Sequence, residues 1–350
     1  MTDTPGAPRT AGSSPTSDTV LEVTEVTKHY PVLKGLMRRQ VGSVRAVDGV
    51  SFTLRAGETL GIVGESGCGK STLSRLLCGL EKPVSGQVRF RGTDLASLNR
   101  AQLRSLRAKI QIVLQDPFTS LDPRMTVDRI ISEPLRIHGW GDSRQDRQRR
   151  VRELIDMVGL SQEHLRRYPQ EFSGGQRQRI GIARALALEP EVLILDEPVS
   201  ALDISIQAQI VNLLGDLRSA LGLSYVFVAH DLSVVRQIST RVAVMYLGRV
   251  AEIGPTGNLF DQPQHPYTAA LLSSVPSPDP TNPSLDRRIA LRGEVPNPAD
   301  PPSGCSFHTR CWRAQELCTR EQPTLTSRNP GPHTTVACHF PVSATSPVPN

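Results

Sequence analysis

Three short stretches carry side chains whose types and spacing suit chemistry on phosphate. "GESGCGKST" fits the pattern G-x-x-x-x-G-K-[ST], with the apolar run "TLGIV" before it and helical spacing after it. Glycines at these positions let backbone N–H groups close around phosphate oxygens, and the helix that starts here turns its partly positive end toward that charge. Gly64, Glu65, Ser66, Gly67, Cys68, Gly69, Lys70, Ser71 and Thr72 are therefore candidate nucleotide contacts, with Lys70 reaching the terminal phosphates and Ser71 ligating Mg²⁺. Cys68 sits at a permissive position and is given no chemistry of its own. "VLILDEP" ends an apolar strand in two acids, which places Asp196 near a magnesium ion and Glu197 facing the γ-phosphate as general base. "FVAHD" puts His230 at the end of a further strand, within reach of the same phosphate. A lone histidine is commonly structural; the company of the other motifs makes this one a candidate.

A second constellation lies near the end of the chain. Cys305, Cys311, Cys318 and Cys338 are separated by five, six and nineteen residues. These gaps match neither the usual zinc spacing nor the compact ferredoxin run, so spacing alone leaves disulfides, a metal centre and unliganded thiols open. His308, His333 and His339 lie nearby and read as ordinary polar residues, although they keep zinc open.

The elements that must position these groups are legible in outline. Residues from Leu21 to Gly61 read as short strands forming an antiparallel lead-in. Residues from Ala101 to Gln170 carry mostly helical patterns with breaks at Pro117, Pro123 and Pro134. Apolar strands then alternate with helices, as in a parallel sheet covered on both faces. The expected fold class is α/β with a P-loop, a mixed core sheet, an antiparallel β lead-in, a helical subdomain and a small cysteine-bearing C-terminal extension. The expected divisions are a disordered lead over 1–20, a nucleotide-binding unit over 21–260 with its helical part near 101–180, the extension over 261–340 and a disordered tail over 341–350. That extension begins with a proline-dense linker, and its cysteine-bearing part has few large apolar side chains, too few to hold a unit of about forty residues together without a staple.

With 350 residues the chain can bury a substantial core without staples elsewhere. The net charge of +6 permits an acidic partner. The densest basic run, Arg144 to Leu154, includes Asp146 and Glu153 and leads into an apolar helical stripe, so it reads as a solvated helix face and no nucleic-acid partner is expected. No run of about 18 apolar residues occurs, and the first twenty residues lack the basic start and apolar stretch of a signal peptide.

"EFSGGQRQRIGIARAL" is more specific. Ser173, Gly174, Gly175 and Gln176 stand just before an amphipathic helix, a second helix N-terminus suited to phosphate. This stretch resembles the signature of ATP-binding-cassette proteins, with Phe172 where Leu is usual, and the resemblance spans roughly Leu21 to Ser274. It implies that Tyr30 stacks on adenine, that Gln115 touches Mg²⁺ and senses the membrane subunit, and that Asp203 belongs to a dimer-contact loop. It further implies that two cassettes pack head to tail, each signature closing on the ATP of the other's P-loop.

The segments "QDPFTSLDPRMTV" and "FDQPQHPYTAALLSSVPSPDP" are similar to the second ATPase subunit of dipeptide and oligopeptide importers, with Asp122 in place of an expected Asn. That branch implies a second cassette subunit in a heterodimer, two membrane permeases, an extracytoplasmic solute-binding protein, and a peripheral position on the cytoplasmic face of the membrane. A cytoplasmic position keeps thiols reduced and disfavours disulfides. Some members of the branch carry four similarly placed cysteines on a [4Fe–4S] cluster, and this tail is similar. Its separation in sequence from the nucleotide site favours a structural or redox-sensing role there. Other readings are an importer of nickel or a glycoside, or a soluble cassette ATPase; against the latter, about 100 residues without sustained heptads separate P-loop and signature.

Overall fold

The computed structural model describes residues 18–35, 39–116, 120–275, 289–327 and 334–342. The disordered lead and tail expected from sequence fall almost wholly outside these residues, as do Pro117, His333 and part of the proline-dense linker.

Two sheets organise the chain. β1 (Thr19–Lys34) and β2 (Arg39–Arg55) pair antiparallel, and β4 (Ser85–Phe90) joins the other edge of β1, followed by the two-residue β5 (Thr93–Asp94). The second sheet has a parallel centre made of β3 (Thr59–Val63), β6 (Ile110–Val113), β7 (Val192–Asp196), β8 (Ser224–Val228) and β9 (Arg241–Tyr246). β10 (Arg249–Pro255), β12 (Thr335–Val336) and β11 (Thr326–Ser327) extend it antiparallel, giving the order β11-β12-β10-β9-β3-β8-β7-β6. Every residue of β3, β7 and β8 is buried, as continuous apolar strands covered on both faces require.

One core cluster fills the space between the antiparallel sheet, helix α1 (Lys70–Leu77) and one face of the central sheet, with Val26, Leu54, Leu73, Leu77, Ile194 and Val226 at its heart. The other lies on the opposite face and takes in Ile131, Leu154, Ile180, Leu193 and Tyr225 together with Cys305, Phe307 and Cys318 from the tail. The sequence suggests a tail that cannot hold itself together; the structure packs it on the cassette instead, with Phe307 2% exposed and β12 hydrogen-bonded along β10. Its apolar partners come from far away in the chain, which composition of the segment alone does not register.

The helical stretch differs from expectation in two places. After α2 (Arg100–Lys109) the residues Ile110–Val113 form β6 on the edge of the sheet, since a short apolar run can serve either structure and parallel pairing with Val192–Leu195 decides it. α3 (Val127–His138) continues through Pro134, whose missing N–H leaves the Ile130 carbonyl without its usual partner; burial of Val127, Ile130, Ile131 and Leu135 holds the helix regardless. α4 (Arg144–Met157) buries Val151, Leu154 and Ile155 and starts on a Ser143–Asp146 capping box. Among the described residues no helix is long and apolar enough to cross a membrane.

Where the tail meets the cassette, Glu252 in β10 is wholly buried and accepts the backbone N–H groups of Gln264 and His265 at 2.8 and 2.9 Å. His265 caps the helix Pro266–Ser273: its Nδ1 accepts the Tyr267 N–H at 3.0 Å, which requires the ring to be unprotonated there. Burial pushes this imidazole down to about 4. The unfolded chain takes up the proton from about pH 6.5, whereas the folded chain resists until near pH 4. The stability this residue contributes is therefore complete above about pH 6.5 and is lost as pH falls toward 4, at up to ~1.4 kcal/mol per pH unit. His265→Asn keeps a capping acceptor but cannot titrate. Its melting temperature should fall less than that of the unaltered protein between about pH 7 and pH 5; parallel melting curves across that range would show that His265 does not carry this dependence.

Candidate active site

The loop from Gly64 to Gly69 links β3 to α1, and its shape depends on missing side chains. Gly64 has φ 159°, and a Cβ there would stand 2.3 Å from the Met245 carbonyl oxygen; Gly69, at φ 104°, would place one 1.9 Å from the Ala46 carbonyl oxygen. Both contacts are with backbone, so neither can give way, and the loop stays closed around its central space. Lys70 opens α1 and is only 5% exposed. Its ammonium donates to the Gly64 and Glu65 carbonyls at 2.7 and 3.1 Å and stands 3.9 Å from the Cys68 sulfur. Burial raises the Cys68 thiol, which keeps it protonated beside that cation.

The acids arrive from β7. Ser71 Oγ donates to Asp196 Oδ1 at 3.3 Å, and burial pushes the Asp196 carboxyl up, with Ser71 opposing and Glu197 adding to the rise. Glu197 follows with φ 49°, a left-handed conformation uncommon outside glycine, and its N–H is tied to the Val228 carbonyl at 2.9 Å. This turn aims its carboxylate back toward the site, where Gln115 Nε2 donates to Glu197 Oε2 at 2.7 Å and His230 Nδ1 lies 3.5 Å from the same oxygen. Lys70, Ser71, Asp196, Glu197, Gln115 and His230 are thus gathered along the ends of β3, β7 and β8 and the segment after β6, the place where parallel sheets present ligands. Asp196 and Ser71 offer hard oxygen donors of the kind Mg²⁺ prefers.

Tyr30 lies on β1 and donates its phenol hydrogen to Glu81 Oε2 at 2.6 Å, with Lys28 paired to the same carboxylate at 3.2 Å. Burial and Glu81 together raise the Tyr30 pKa, and the Thr72 hydroxyl also reaches its phenol oxygen.

Ser173–Gln176 form a separate patch. Ser173 caps α5 (Gly174–Leu186): its Oγ accepts the Gln176 N–H at 3.3 Å while Gln176 Oε1 accepts the Ser173 N–H at 3.0 Å. Phe172, standing where Leu was expected, is buried edge-on against His164. A Cβ on Gly175 would come within 2.4 Å of Ile206 Cγ2, so this glycine allows α6 (Ile204–Leu221) to approach closely. Asp203 precedes α6 with an exposed side chain that makes no capping bond, and Ile204 beside it is 85% exposed. Among the described residues no hydrogen bond or ion pair joins Ser173–Gln176 or Asp203 to the Gly64–Thr72 loop.

All six cysteines are free thiols. Cys305, Cys311, Cys318 and Cys338 come together: Cys305 N–H donates to the Cys318 carbonyl at 2.8 Å, and Cys338 feels the charge of each of the other three. Burial raises Cys305, lifts Cys311 to about 11 and lifts Cys338 to about 12. Among the described residues no three or more His, Cys, Asp or Glu converge on one metal-ion position, so this arrangement by itself supports neither the zinc reading nor the [4Fe–4S] cluster.

The residues that sequence reasoning missed link this tail to the phosphate loop. Tyr267 OH accepts the Glu65 N–H at 2.9 Å, and Arg310 donates to both Glu65 carboxylate oxygens at 2.8 and 3.2 Å. The tail therefore touches the cradle directly, despite its separation in sequence. No local pattern marks Arg310; only the fold brings it across 245 residues.

Comparison with known proteins agrees with this arrangement. The ABC transporter family matches residues 47–200, and the oligopeptide/dipeptide transporter C-terminal region matches residues 251–318. The chain is 53% identical over 324 residues to the oligopeptide transport ATP-binding protein AppF of Bacillus subtilis, covering 92% of this chain and 98% of that one. It is 49% identical over 324 residues to the di/tripeptide transport ATP-binding protein DppF of Pseudomonas aeruginosa, with the same coverage. Among solved structures, the dimeric post-hydrolysis state of the ATP-binding cassette MJ0796 bound to ADP and Pi is similar with a TM-score of 0.60 and 31% identity over 67% of this chain and 98% of that one. The cbiO1 structure from Clostridium perfringens gives a TM-score of 0.60 and 29% identity over 70% and 91%. With a P-loop, paired acids, signature helix and tail in one fold, and relatives aligned over nearly its whole length, the chain belongs to the ATP-binding proteins of the ABC transporter family, in the branch that carries the oligopeptide/dipeptide transporter C-terminal region.

Proposed function

We propose that this chain is the ATP-hydrolysing subunit of a membrane importer for di- and oligopeptides. The observation that carries this reading is the joining of a complete nucleotide site to the oligopeptide/dipeptide C-terminal region, which contacts that site through Arg310 and Tyr267. ATP lies in the Gly64–Thr72 loop with its terminal phosphates at Lys70 and its adenine against Tyr30. Ser71, Asp196 and Gln115 would hold Mg²⁺, which neutralises charge on the phosphates when bound. Glu197 takes the proton of the attacking water as general base; Gln115 and His230 fix the oxygen that does so. The partners in this reading are a second cassette subunit, two permeases on whose cytoplasmic face the chain sits, and an extracytoplasmic solute-binding protein.

The second cassette is needed because, among the described residues, no hydrogen bond or ion pair joins Ser173–Gln176 or Asp203 to this chain's own phosphate loop. The exposure of Ser173, Asp203 and Ile204 supports a head-to-tail dimer in which the signature donors act on the partner's ATP. We read residues 21–260 as the cassette and 261–340 as the extension. Within it, Cys305, Cys311, Cys318 and Cys338 hold a [4Fe–4S] cluster. Three buried thiols and the half-buried Cys311, in mutual electrostatic reach, support this, and a cluster with one thiolate per iron needs its donors farther apart than a single ion does.

In vesicles carrying the assembled transporter, labelled di- or oligopeptide should enter in an ATP-dependent manner, and Glu197→Gln should still bind ATP while turnover and uptake fall by at least about 10²-fold. Uptake of nickel or a glycoside with no peptide uptake would overturn the peptide assignment, and near-normal turnover in Glu197→Gln would remove Glu197 as base. In a mixed dimer with Ser173→Ala and Gly174→Asp on one subunit only, hydrolysis should be lost at the ATP held by the other subunit's P-loop; loss at the altered subunit's own P-loop would contradict the trans arrangement. Protein purified without oxygen should be brown with about four irons per chain. Colourless protein carrying one zinc, made with cluster assembly machinery present, would refute the cluster and leave the ATPase reading standing.

A further inference from the structure

The contact between tail and phosphate loop is more specific than packing. Glu65 is fixed at three points: Tyr267 OH holds its N–H, the Lys70 ammonium holds its carbonyl, and Arg310 holds both carboxylate oxygens in a bidentate pair. Arg310 is in turn fixed. Its side chain is 8% exposed and lies over the Tyr246 ring, 5.9 Å from the centroid, with its Nη1 also 3.5 Å from the Tyr246 hydroxyl. Phe307, three residues earlier, packs between Tyr246 and Tyr267 at centroid distances of 5.2 and 5.4 Å. The segment that presents Phe307 and Arg310 is bracketed by Cys305 and Cys311.

A carboxylate inside a loop built to receive several negative charges is an electrostatic liability. Left unpaired, Glu65 sits one residue from Gly64 and can turn toward Lys70, where it repels phosphate and competes for the ammonium. A bidentate guanidinium pair in a partly desolvated setting neutralises that charge and fixes its direction. We infer that Arg310 is a positioning residue of the ATP site, clamping the Glu65 carboxylate away from the phosphates and making the C-terminal extension a working part of the nucleotide cradle. The clamp acts on ATP binding. Among the described residues no hydrogen bond or ion pair joins Glu197, Gln115 or His230 to Arg310 or Glu65, so the chemical step is left to them. The inference rests on the chain binding ATP in this loop and would fall with that reading.

The test compares ATP binding by the full-length chain with ATP dependence of hydrolysis in the assembled transporter. Arg310→Gln should raise both Kd and KM for ATP about tenfold, equivalent to ~1.4 kcal/mol, with kcat within about twofold. Arg310→Lys, which keeps the charge but loses the fork, should fall between. The decisive arm is the double variant Glu65→Gln/Arg310→Gln: with the unpaired carboxylate gone, ATP affinity should recover most of the loss. A merely structural role predicts the opposite, since removing the second partner cannot repair packing, and melting temperatures of all variants separate misfolding from weakened binding. Unaltered ATP affinity in folded Arg310→Gln, or no recovery in the double variant, would overturn the clamp. An unaltered chain that failed to bind ATP would overturn it together with the cassette reading.

Discussion

A lysine ammonium buried beneath a glycine loop, answered by carbonyl dipoles and, among the described residues, with no carboxylate in an ion pair with it, sets the terms for everything around the site. Burying a cation without a counter-charge is costly, and Lys70 meets that cost with the Gly64 and Glu65 carbonyls in a pocket that phosphate would complete. The surrounding acids must then be prevented from neutralising it. Each is held by a donor of its own: Asp196 by Ser71, Glu197 by Gln115 and Glu65 by Arg310. The three carboxylates are individually restrained, by donors from three different parts of the chain.

Much of this was readable in the sequence where the physics is local. The Gly64–Thr72 loop, the strand ending in Asp196 and Glu197, and the Ser173–Gln176 helix start each depend on residues a few positions apart, so motif and periodicity reach them. The buried stripe of Val151, Leu154 and Ile155 follows from the same spacing argument. What failed was what only tertiary contact decides. Ile110–Val113 became a strand because Val192–Leu195 lay alongside, and Pro134 stayed helical because its neighbours are buried. Arg310 and Tyr267 gave no signal at all, since a surface-type arginine and a helix tyrosine gain their roles only by meeting Glu65. The cysteines sit between these cases: their number and types were plain, while their convergence rested on the fold.

The glycines mark where two kinds of closeness are demanded. Gly64 and Gly69 admit carbonyl oxygens of Met245 and Ala46 into the space a side chain would take, which welds the phosphate loop to β9 and β2. Gly175 instead lets two helices meet, so the signature packs directly against the helix that follows Asp203. The first pair shapes a cavity; the second stiffens a surface.

The pairing of β12 with β10, and of Arg310 with Glu65, has a consequence for the order in which the protein is made. Residues emerging early, from Gly64 onward, can form the loop and α1, but the groups that restrain Glu65 belong to the last part of the chain. Contacts this distant in sequence form late, after the intervening loops have closed. A ribosome that has released the cassette has therefore not yet released a finished nucleotide site. During that interval the edge of β10 is bare and the aromatic pocket awaiting Phe307 is open, an exposed strand edge of the kind that invites pairing with other chains. Closing the tail onto the sheet covers that edge and brings Arg310 to Glu65, so the contacts that protect the chain from association and those that finish the nucleotide cradle are supplied by the same late segment.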